Sequence, residues 1–266
     1  MNDVRCVAIY WVGMTLREDA TTRAIASLAD RPARLSSLVI DALTDRIVSG
    51  EYPPGTLVPP EPVLCRSFDV SRSVVREALK VLEEKGLLTV RRGHGTVVAG
   101  PDEWNLLDPL ILAATVRHDK QREMLDDLVA VRAALEADMA ASAAALVTAA
   151  DVERLRALLR ECEASLADFS HYLELDTAFH DELMRLSGNR LARAVVRSIH
   201  DQARASAGYN DPNRGDVELS HRGHVTILDR IEVRDGDAAA AAMREHIISM
   251  WQRKRDHLDA PGAIDR

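Results

Sequence analysis

The stretch from Leu57 to Val98 constrains the fold of this chain more than any other part of it. It contains a short helical segment, a tight turn, a second amphipathic helix and two β-type runs, in that order. Ser71 is a suitable N-cap for the second helix, because its hydroxyl can accept a hydrogen bond from a free amide of the first turn. Gly86 fits the left-handed position that ends such a helix. The stretch therefore predicts a helix–turn–helix followed by a hairpin.

The second helix is expected to have one apolar face and one basic face. Its apolar residues recur at helical spacing: Val74, Val75, Ala78, Leu79 and Leu82. Arg72, Arg76 and Lys80 lie four residues apart and share a face away from the apolar one. The N-terminal end of this helix is therefore basic and exposed, as a DNA-reading helix requires.

The hairpin after this helix is expected to form a wing. Its strands, 87–91 and 96–98, are joined by Arg92-Gly93-His94-Gly95, whose glycines suit positive φ. The tip, Arg92 and Gly93, can approach a minor groove or a phosphate with little steric obstruction. A surface helix with a salt-bridged face and an ordinary hairpin is the alternative. The joint occurrence of turn, cap, helix stop and glycine-tipped hairpin argues against it.

This stretch resembles the winged helix–turn–helix of the GntR superfamily of bacterial transcription regulators. The matching positions are Gly50, Pro54, Gly55, Leu57, Pro59, Glu61, Val70, Ser71, Arg72, Val75, Arg76, Glu77, Ala78, Leu79, Leu82, Gly86, Leu87, Gly93, Gly95, Thr96 and Val98. The resemblance implies that operator DNA is contacted by Ser71, Arg72, Ser73, Arg76, Arg92 and Gly93. Pro62 stands where some relatives have a DNA-contacting arginine, and Cys65 stands where a small alanine is usual. The chain is therefore expected to dock on DNA in the way that the family does. The operator sequence that it recognises does not follow from the resemblance.

Length and composition fit a two-domain regulator. The chain has 266 residues, enough for two ordinary domains, and lacks an apolar run long enough to span a membrane. Its N-terminus lacks the features of a signal peptide. Three widely separated cysteines fit reduced thiols in a cytoplasm. The net charge of −8 lies mostly outside residues 34–100, where acidic and basic residues nearly balance, and local charge governs phosphate contact.

A mainly α-helical chain with two domains is expected. Residues 1–33 are expected to be a disordered extension with a short helix over 22–29, and translation could begin at Met14. A helix over 35–49 opens the winged domain, which spans 34–100, and Gly100-Pro101-Asp102 is a linker. Residues 101–260 are expected to form an antiparallel all-α bundle of six or seven helices. The predicted helices cover residues 108–117, 122–147, 150–167, 170–186, 190–207, 214–233 and 237–258.

The helical domain contains candidate metal ligands. Asp176 and His180 lie four residues apart and stack on one helix face. His224 and His246 lie among apolar residues on two later helices, so their side chains are expected to point inward. Three imidazoles and one carboxylate that project into one bundle form a plausible site for Zn²⁺, Ni²⁺ or Mn²⁺.

Each of these signals also has a simpler interpretation. An Asp–His pair at helical spacing is more often a surface pair, and a single inward histidine is more often a core residue with a hydrogen-bond partner. His221 could replace His224 as a ligand, since it lies three residues earlier on the same helix. His171 and His200 are further candidates.

The second domain resembles the FCD effector domain of the FadR-like GntR subgroup. The matching segments are Val131-Arg132-x-x-Leu135-Glu136, Asp176-x-x-x-His180 through Ser187-Gly188-Asn189, His224-x-x-Ile227 and Ala241-x-Met243-x-x-His246. In metal-bearing members one aspartate and three histidines hold the ion. The resemblance places these ligands at Asp176, His180, His224 and His246, and it makes an acyl-CoA effector less fitting, because acyl-CoA-sensing members lack this set.

Together, the DNA-binding and metal-binding expectations predict that the chain is a transcription regulator that responds to a ligand. Four protein ligands leave two positions open on an octahedral ion, which the carboxylate of a small organic or sugar acid could occupy. Arg132, at the family's arginine position, is the candidate cation for the acid, and an intrahelical pair with Glu136 is the alternative. The resemblance implies a homodimeric repressor, which would bind a pseudo-palindromic operator. A metal-dependent enzyme and a regulator with a purely structural metal are the competing hypotheses.

Overall fold

The computed structural model describes residues 20–205 and 214–259. It is mainly helical, with one two-stranded sheet in the described part. The elements in chain order are α1 (Ala20–Val48), α2 (Glu61–Phe68), α3 (Arg72–Glu84), β1 (Leu88–Arg91), β2 (Gly95–Val98), α4 (Pro109–His118), α5 (Glu123–Leu146), α6 (Ala149–Ala164), α7 (Phe169–Leu186), α8 (Arg190–Ala205), α9 (Arg214–Glu232) and α10 (Gly236–Asp259). The predicted fold class is confirmed, and the predicted helices of the second domain agree with these bounds to within a few residues.

The helix–turn–helix and wing form as predicted. The Ser71 hydroxyl accepts a hydrogen bond from the Val74 amide at 3.5 Å, so it caps α3. Gly86 has φ of 80° after the end of α3, and a Cβ there would lie only 2.3 Å from the Glu103 carbonyl oxygen. Only glycine meets both conditions. β1 pairs antiparallel with β2, in the register that sets Leu88 opposite Val98.

The core of the winged domain is formed by α1, α3 and the sheet. It includes Val39, Leu43 and Ile47 of α1, and the apolar face predicted for α3 packs on them. The buried members of that face are Val74, Val75, Ala78 and Leu82. Burial of this face leaves the N-terminal end of α3 on the surface, with Arg72 and Arg76 exposed.

One prediction about the N-terminus is wrong. Helix α1 begins at Ala20, so residues 20–33 belong to a helix rather than to a disordered extension. The segment is rich in alanine, the strongest helix former, and Pro32 does not end the helix, although proline removes one backbone hydrogen bond. The short helix expected over 22–29 is part of this longer one. The prediction for residues 1–19 and the Met14 hypothesis lie outside the described residues.

The second domain is a bundle in which α5 is the central helix. It packs against α7, α8, α9 and α10. Its buried residues include five alanines, which are Ala133, Ala137, Ala140, Ala143 and Ala144. Small side chains let neighbouring helices approach α5 closely. None of the helices that the structure describes combines the length and hydrophobicity needed to cross a bilayer.

Helix α4 belongs to both hydrophobic cores. Ile111 is buried in the core of the winged domain. Leu112 and Val116 are buried in the core of the helical bundle. Arg117 and His118, at the end of α4, both pair with Asp45 on α1, at 3.3 and 2.9 Å. A movement of α4 would therefore disturb both domains.

Candidate metal centre and DNA-binding surface

Three buried histidines meet inside the helical bundle. His180 on α7, His224 on α9 and His246 on α10 are 6%, 0% and 8% exposed. One ring nitrogen from each lies within 4.8 Å of the other two. The Nε2 atoms of His180 and His224 are 3.1 Å apart. The structure thus brings together the three histidines that the sequence analysis selected.

This geometry fits a divalent metal ion. Histidine nitrogens bind zinc at about 2.0–2.1 Å, so two of them on one ion lie about 2.9 Å apart at octahedral angles and about 3.4 Å apart at tetrahedral angles. The separation of 3.1 Å between the Nε2 atoms of His180 and His224 lies between these values. Burial lowers the pKa of His224 and of His246 well below the usual range, so both rings are neutral near pH 7. A neutral imidazole has the free lone pair that a metal requires.

Glu136 on α5 orients His180. Its carboxylate is fully buried and accepts a hydrogen bond from His180 Nδ1 at 2.6 Å. A proton on Nδ1 leaves the Nε2 lone pair of His180 facing the cluster, an arrangement common among metal-binding histidines. Burial would raise the pKa of Glu136, but Arg132 and His180 hold it well below its usual range. Burial would lower the pKa of His180, and the charge of Glu136 outweighs that effect and raises it.

Arg132 forms the predicted alternative pair and also lines the cavity beside the cluster. Its Nε donates to Glu136 Oε1 at 2.8 Å, and the residue is 8% exposed. The same side chain lies in the wall of a cavity of about 140 Å³ that His180 and His246 also line. The intrahelical pair and a place in the ligand cavity are therefore compatible.

Asp176 lies beside the cluster, one turn before His180 on α7. Its Oδ1 is 3.4 Å from His224 Nε2 and accepts a hydrogen bond from the Ser220 hydroxyl at 3.2 Å. Asp176 lines the same cavity, but it does not lie within 4.8 Å of all three histidine nitrogens. The sequence analysis missed the contact from Ser220, which occupies the turn before His224 on α9.

Gly223 permits the close approach of α9 and α10 at the cluster. A Cβ at this position would lie 2.4 Å from His246 Nδ1. Glycine inside a helix costs about 1 kcal/mol relative to alanine, so its presence calls for a packing reason. The position of the His246 ring supplies that reason. The sequence analysis missed this role, although an internal glycine next to a candidate ligand was a usable signal.

The alternative histidines occupy other positions. His221 is half-buried on α9 and does not belong to the cluster. His171 is exposed and pairs with Glu174 at 3.6 Å. His200 on α8 lines the cavity, and burial together with the charge of Arg132 lowers its pKa to about 3. His200 is therefore neutral and faces the cavity without joining the three-histidine set.

The predicted DNA contacts share one surface at the start of α3. Ser71, Arg72, Ser73 and Arg76 are all exposed, and the hydroxyls of Ser71 and Ser73 are 2.9 Å apart. Arg92 and Gly93 are exposed in the turn between β1 and β2.

Arg76 has a partner that the sequence analysis did not assign. Its Nε lies 3.0 Å from each carboxylate oxygen of Glu61, the first residue of α2. The hydrogen bond and charge of Glu61 raise the pKa of Arg76. The Arg76 side chain remains 68% exposed, so this pair orients the guanidinium without removing it from the surface.

Comparisons with known proteins agree with this architecture. The family model described as "Bacterial regulatory proteins, gntR family" matches residues 35–98, and the FCD domain model matches residues 127–249. The HTH-type transcriptional regulator YieP of Escherichia coli is 32% identical over 210 residues, which cover 78% of this chain and 90% of YieP. The galactonate operon transcriptional repressor of Escherichia coli is 28% identical, covering 82% of this chain and 96% of the repressor.

A solved structure shares the fold. Lar, which controls the expression of the Listeria monocytogenes agr system, is 20% identical with a TM-score of 0.53. The match covers 83% of this chain and 96% of Lar. These relatives are transcription regulators rather than enzymes. With its winged helix–turn–helix and its FCD domain, the chain belongs to the GntR family of bacterial regulatory proteins and is a DNA-binding transcription regulator.

Proposed function

We propose that this regulator is a homodimeric repressor whose operator affinity is controlled by a small organic or sugar acid bound at a divalent metal site. The buried cluster of His180, His224 and His246, next to a cavity that Arg132 lines, carries this proposal. The similarity to a galactonate operon repressor supports an acid as the class of effector.

The metal would be held by Asp176, His180, His224 and His246. Zinc is the metal proposed, and nickel and manganese are the alternatives. When bound, the ion supplies a Lewis acid that attracts an anionic oxygen of the effector. Arg132 provides a permanent positive charge in the same cavity wall, which favours a carboxylate. Glu136 holds both Arg132 and His180 in place.

The surface at the start of α3 would enter the major groove of operator DNA. In winged and related helix–turn–helix proteins the second helix meets base edges with its N-terminal residues. Ser71, Arg72, Ser73 and Arg76 occupy that position, and Arg92 and Gly93 at the wing tip would contact the backbone or minor groove. Two such surfaces in a homodimer would match a pseudo-palindromic operator.

A continuous set of packed helices links the cavity to the DNA surface. His200 on α8 lines the cavity, and α8 packs against α4. Asp108 caps the start of α4, accepting from the Leu110 amide at 3.0 Å, and also pairs with Lys85 at the end of α3. An effector that shifts α8 would therefore displace α4 and, through Lys85, the recognition helix. Operator affinity would change as the population of the two arrangements shifts.

Replacing Lys85 by methionine is expected to uncouple the two domains. Methionine keeps most of the aliphatic stem but removes the charge that pairs with Asp108, while Asp108 still caps α4. Operator affinity without effector should change less than threefold, whereas the response to effector should fall by about tenfold, the scale of a typical allosteric coupling. Fluorescence anisotropy with labelled operator measures both quantities. Arg160→Met, which breaks an exposed pair with Glu153 on α6 of the helical domain, is the control and should respond normally.

Replacing Gly223 by alanine is expected to weaken metal binding without unfolding the protein. The added methyl would push the His246 ring away, whereas alanine itself favours the helix by up to about 1 kcal/mol. Zinc affinity should fall by about tenfold or more in a competition assay with a chromogenic chelator. Arg222→Ala on the exposed side of α9 is the control. Unchanged zinc affinity in Gly223→Ala would contradict the role of Gly223 in placing the His246 ring.

A thermal-shift screen of small carboxylic acids tests the proposed function. It compares zinc-loaded protein with chelator-treated protein, because a ligand at 100 times its Kd stabilises the native state by about 2.7 kcal/mol. An acid that raises the melting temperature only in the zinc-loaded form supports a shared metal and effector site. Stabilisation by zinc with no response to any acid would favour a structural metal and contradict the proposal.

A further inference from the structure

We propose that the cavity beside the histidine cluster takes a monocarboxylate whose body is a single apolar ring, aromatic or alicyclic, in preference to a polyhydroxylated sugar acid. This inference rests on the proposed function, since it names the class of acid that the same site selects. Three independent features of the described residues support it: the chemistry of the walls, the volume, and the distribution of charge.

The walls of the cavity are largely apolar away from the cluster. Phe169, Tyr172 and Trp251 line it, and they are three of only ten aromatic residues in the chain. Val217, Ile247 and Met250 contribute further apolar surface. A sugar acid needs a partner for each hydroxyl that it buries, because an unpaired polar group loses the free energy of its hydration. The polar residues of this part of the wall are Asp216, Ser220 and Lys254. Asp216 already pairs with Arg253, and Ser220 donates to Asp176, so the wall suits an apolar ring better than a ligand with many hydroxyls.

The volume of the cavity fits one ring. It measures about 140 Å³. An apolar cavity of roughly 150 Å³ inside a protein accommodates benzene. A six-membered ring with one carboxylate therefore fits when the carboxylate extends to the polar end, where Arg132, His180 and His246 lie.

The charges place the carboxylate at the shared wall of two cavities. Arg132, His180 and His200 line both the apolar cavity and a second one of about 260 Å³. The second cavity is also lined by four carboxylates: Glu136, Glu174, Asp181 and Asp201. Their negative charges disfavour an anion there. The apolar cavity has two carboxylates in its wall, Asp176 and Asp216, and is therefore the less acidic of the two. The acid is expected there, with its carboxylate against Arg132 and the cluster.

One cavity wall also contains a buried hydroxyl that a ligand could satisfy. Tyr172 is 2% exposed, and its hydroxyl makes no hydrogen bond of normal geometry within the described part of the chain, although the Ser220 hydroxyl lies near it. A polar substituent on the ring would remove this deficit. Ring acids with one hydroxyl should therefore bind at least as tightly as the unsubstituted acid. The cavity is not expected to accept the many hydroxyls of a sugar acid in the same way.

Isothermal titration calorimetry of zinc-loaded protein tests the inference with four probes: benzoate, cyclohexanecarboxylate, acetate and galactonate. Benzoate and cyclohexanecarboxylate are expected to bind at least tenfold more tightly than acetate and galactonate. Their binding should show a negative heat-capacity change, the mark of apolar burial, which acetate lacks. Equal affinity for acetate and benzoate would overturn the proposal, because the ring would then contribute nothing.

A matched pair of variants localises the ring. Phe169→Ala removes a half-buried aromatic from the cavity wall and should weaken benzoate binding about tenfold while leaving zinc and acetate affinity unchanged. Leu166→Ala is the control, since Leu166 packs on the same hydrophobic cluster as Phe169 but does not line the cavity. An equal effect of both variants on benzoate would overturn the placement.

The outcomes separate this inference from the function on which it rests. If galactonate binds zinc-loaded protein and the ring acids do not, the class of effector is wrong and the acid-controlled metal site stands. If zinc stabilises the protein and none of the four acids binds, the acid-controlled site itself is wrong. In both cases the ring-shaped effector is rejected.

Discussion

Replacing Arg72 and Arg76 together by alanine is expected to weaken operator binding by at least about 30-fold. Both side chains are exposed at the start of α3, where a recognition helix meets DNA. A side chain that contacts a base contributes about 1–3 kcal/mol, and a phosphate contact contributes through release of counterions. Fluorescence anisotropy on a duplex selected by the protein from a random-sequence library measures the loss.

The control for this prediction removes the same charge elsewhere. Arg156→Ala with Arg160→Ala changes two exposed arginines on α6 of the helical domain and should leave operator affinity nearly unchanged. The salt dependence adds information, because each lost phosphate contact lowers the slope of log affinity against log salt by about 0.9. Normal operator affinity in the Arg72/Arg76 variant would reject the docking of α3.

Replacing His224 by alanine is expected to reduce zinc affinity by at least about 100-fold. His224 is fully buried, and its Nε2 lies 3.1 Å from His180 Nε2 and 3.4 Å from Asp176 Oδ1. Loss of a residue that merely orients a metal ligand reduces affinity 10–100-fold, so loss of a ligand should cost at least as much. Metal content after dialysis, measured by elemental analysis, tests this expectation.

His171→Ala is the matched control for His224→Ala. His171 is exposed on α7 and lies outside the cluster, so one equivalent of zinc should remain bound. Far-ultraviolet circular dichroism of both variants checks that the helices are intact. A folded His224→Ala protein that retains a full equivalent of zinc would show that the cluster does not bind the metal.

Local signals made the winged domain predictable. The cap at Ser71, the stop at Gly86 and the positive φ of Gly93 each depend on a few neighbouring residues, and each is present in the structure. The helical spacing of the apolar residues also identified the buried face of α3. The long-range pair between Glu61 and Arg76 was not predictable in this way, because it depends on the relative placement of α2 and α3.

The candidate metal centre was predictable as a set of residue types but not as a geometry. Family resemblance selected His180, His224 and His246, and the structure brings them together. The roles of Glu136 and Gly223 were missed, since each acts on a histidine from another helix. Such contacts arise from the packing of α5 against α7 and of α9 against α10, which periodicity within a single helix does not reveal.

The start of helix α1 was not predictable from the sequence pattern. Residues 1–33 show no strong sequence pattern, and this absence predicts an extension. The structure continues α1 back to Ala20. Here the helix propensity of several alanines outweighs the single backbone hydrogen bond that proline removes.

The most direct test of acid-controlled DNA binding at a metal site is one operator titration in three states. Anisotropy is measured with zinc-loaded protein alone, with zinc-loaded protein plus the acid that stabilises it most, and with chelator-treated protein plus the same acid. The acid is expected to weaken operator binding at least tenfold in the zinc-loaded protein and to have no effect after chelation. Operator affinity that is the same with and without the acid in zinc-loaded protein would contradict the proposed control.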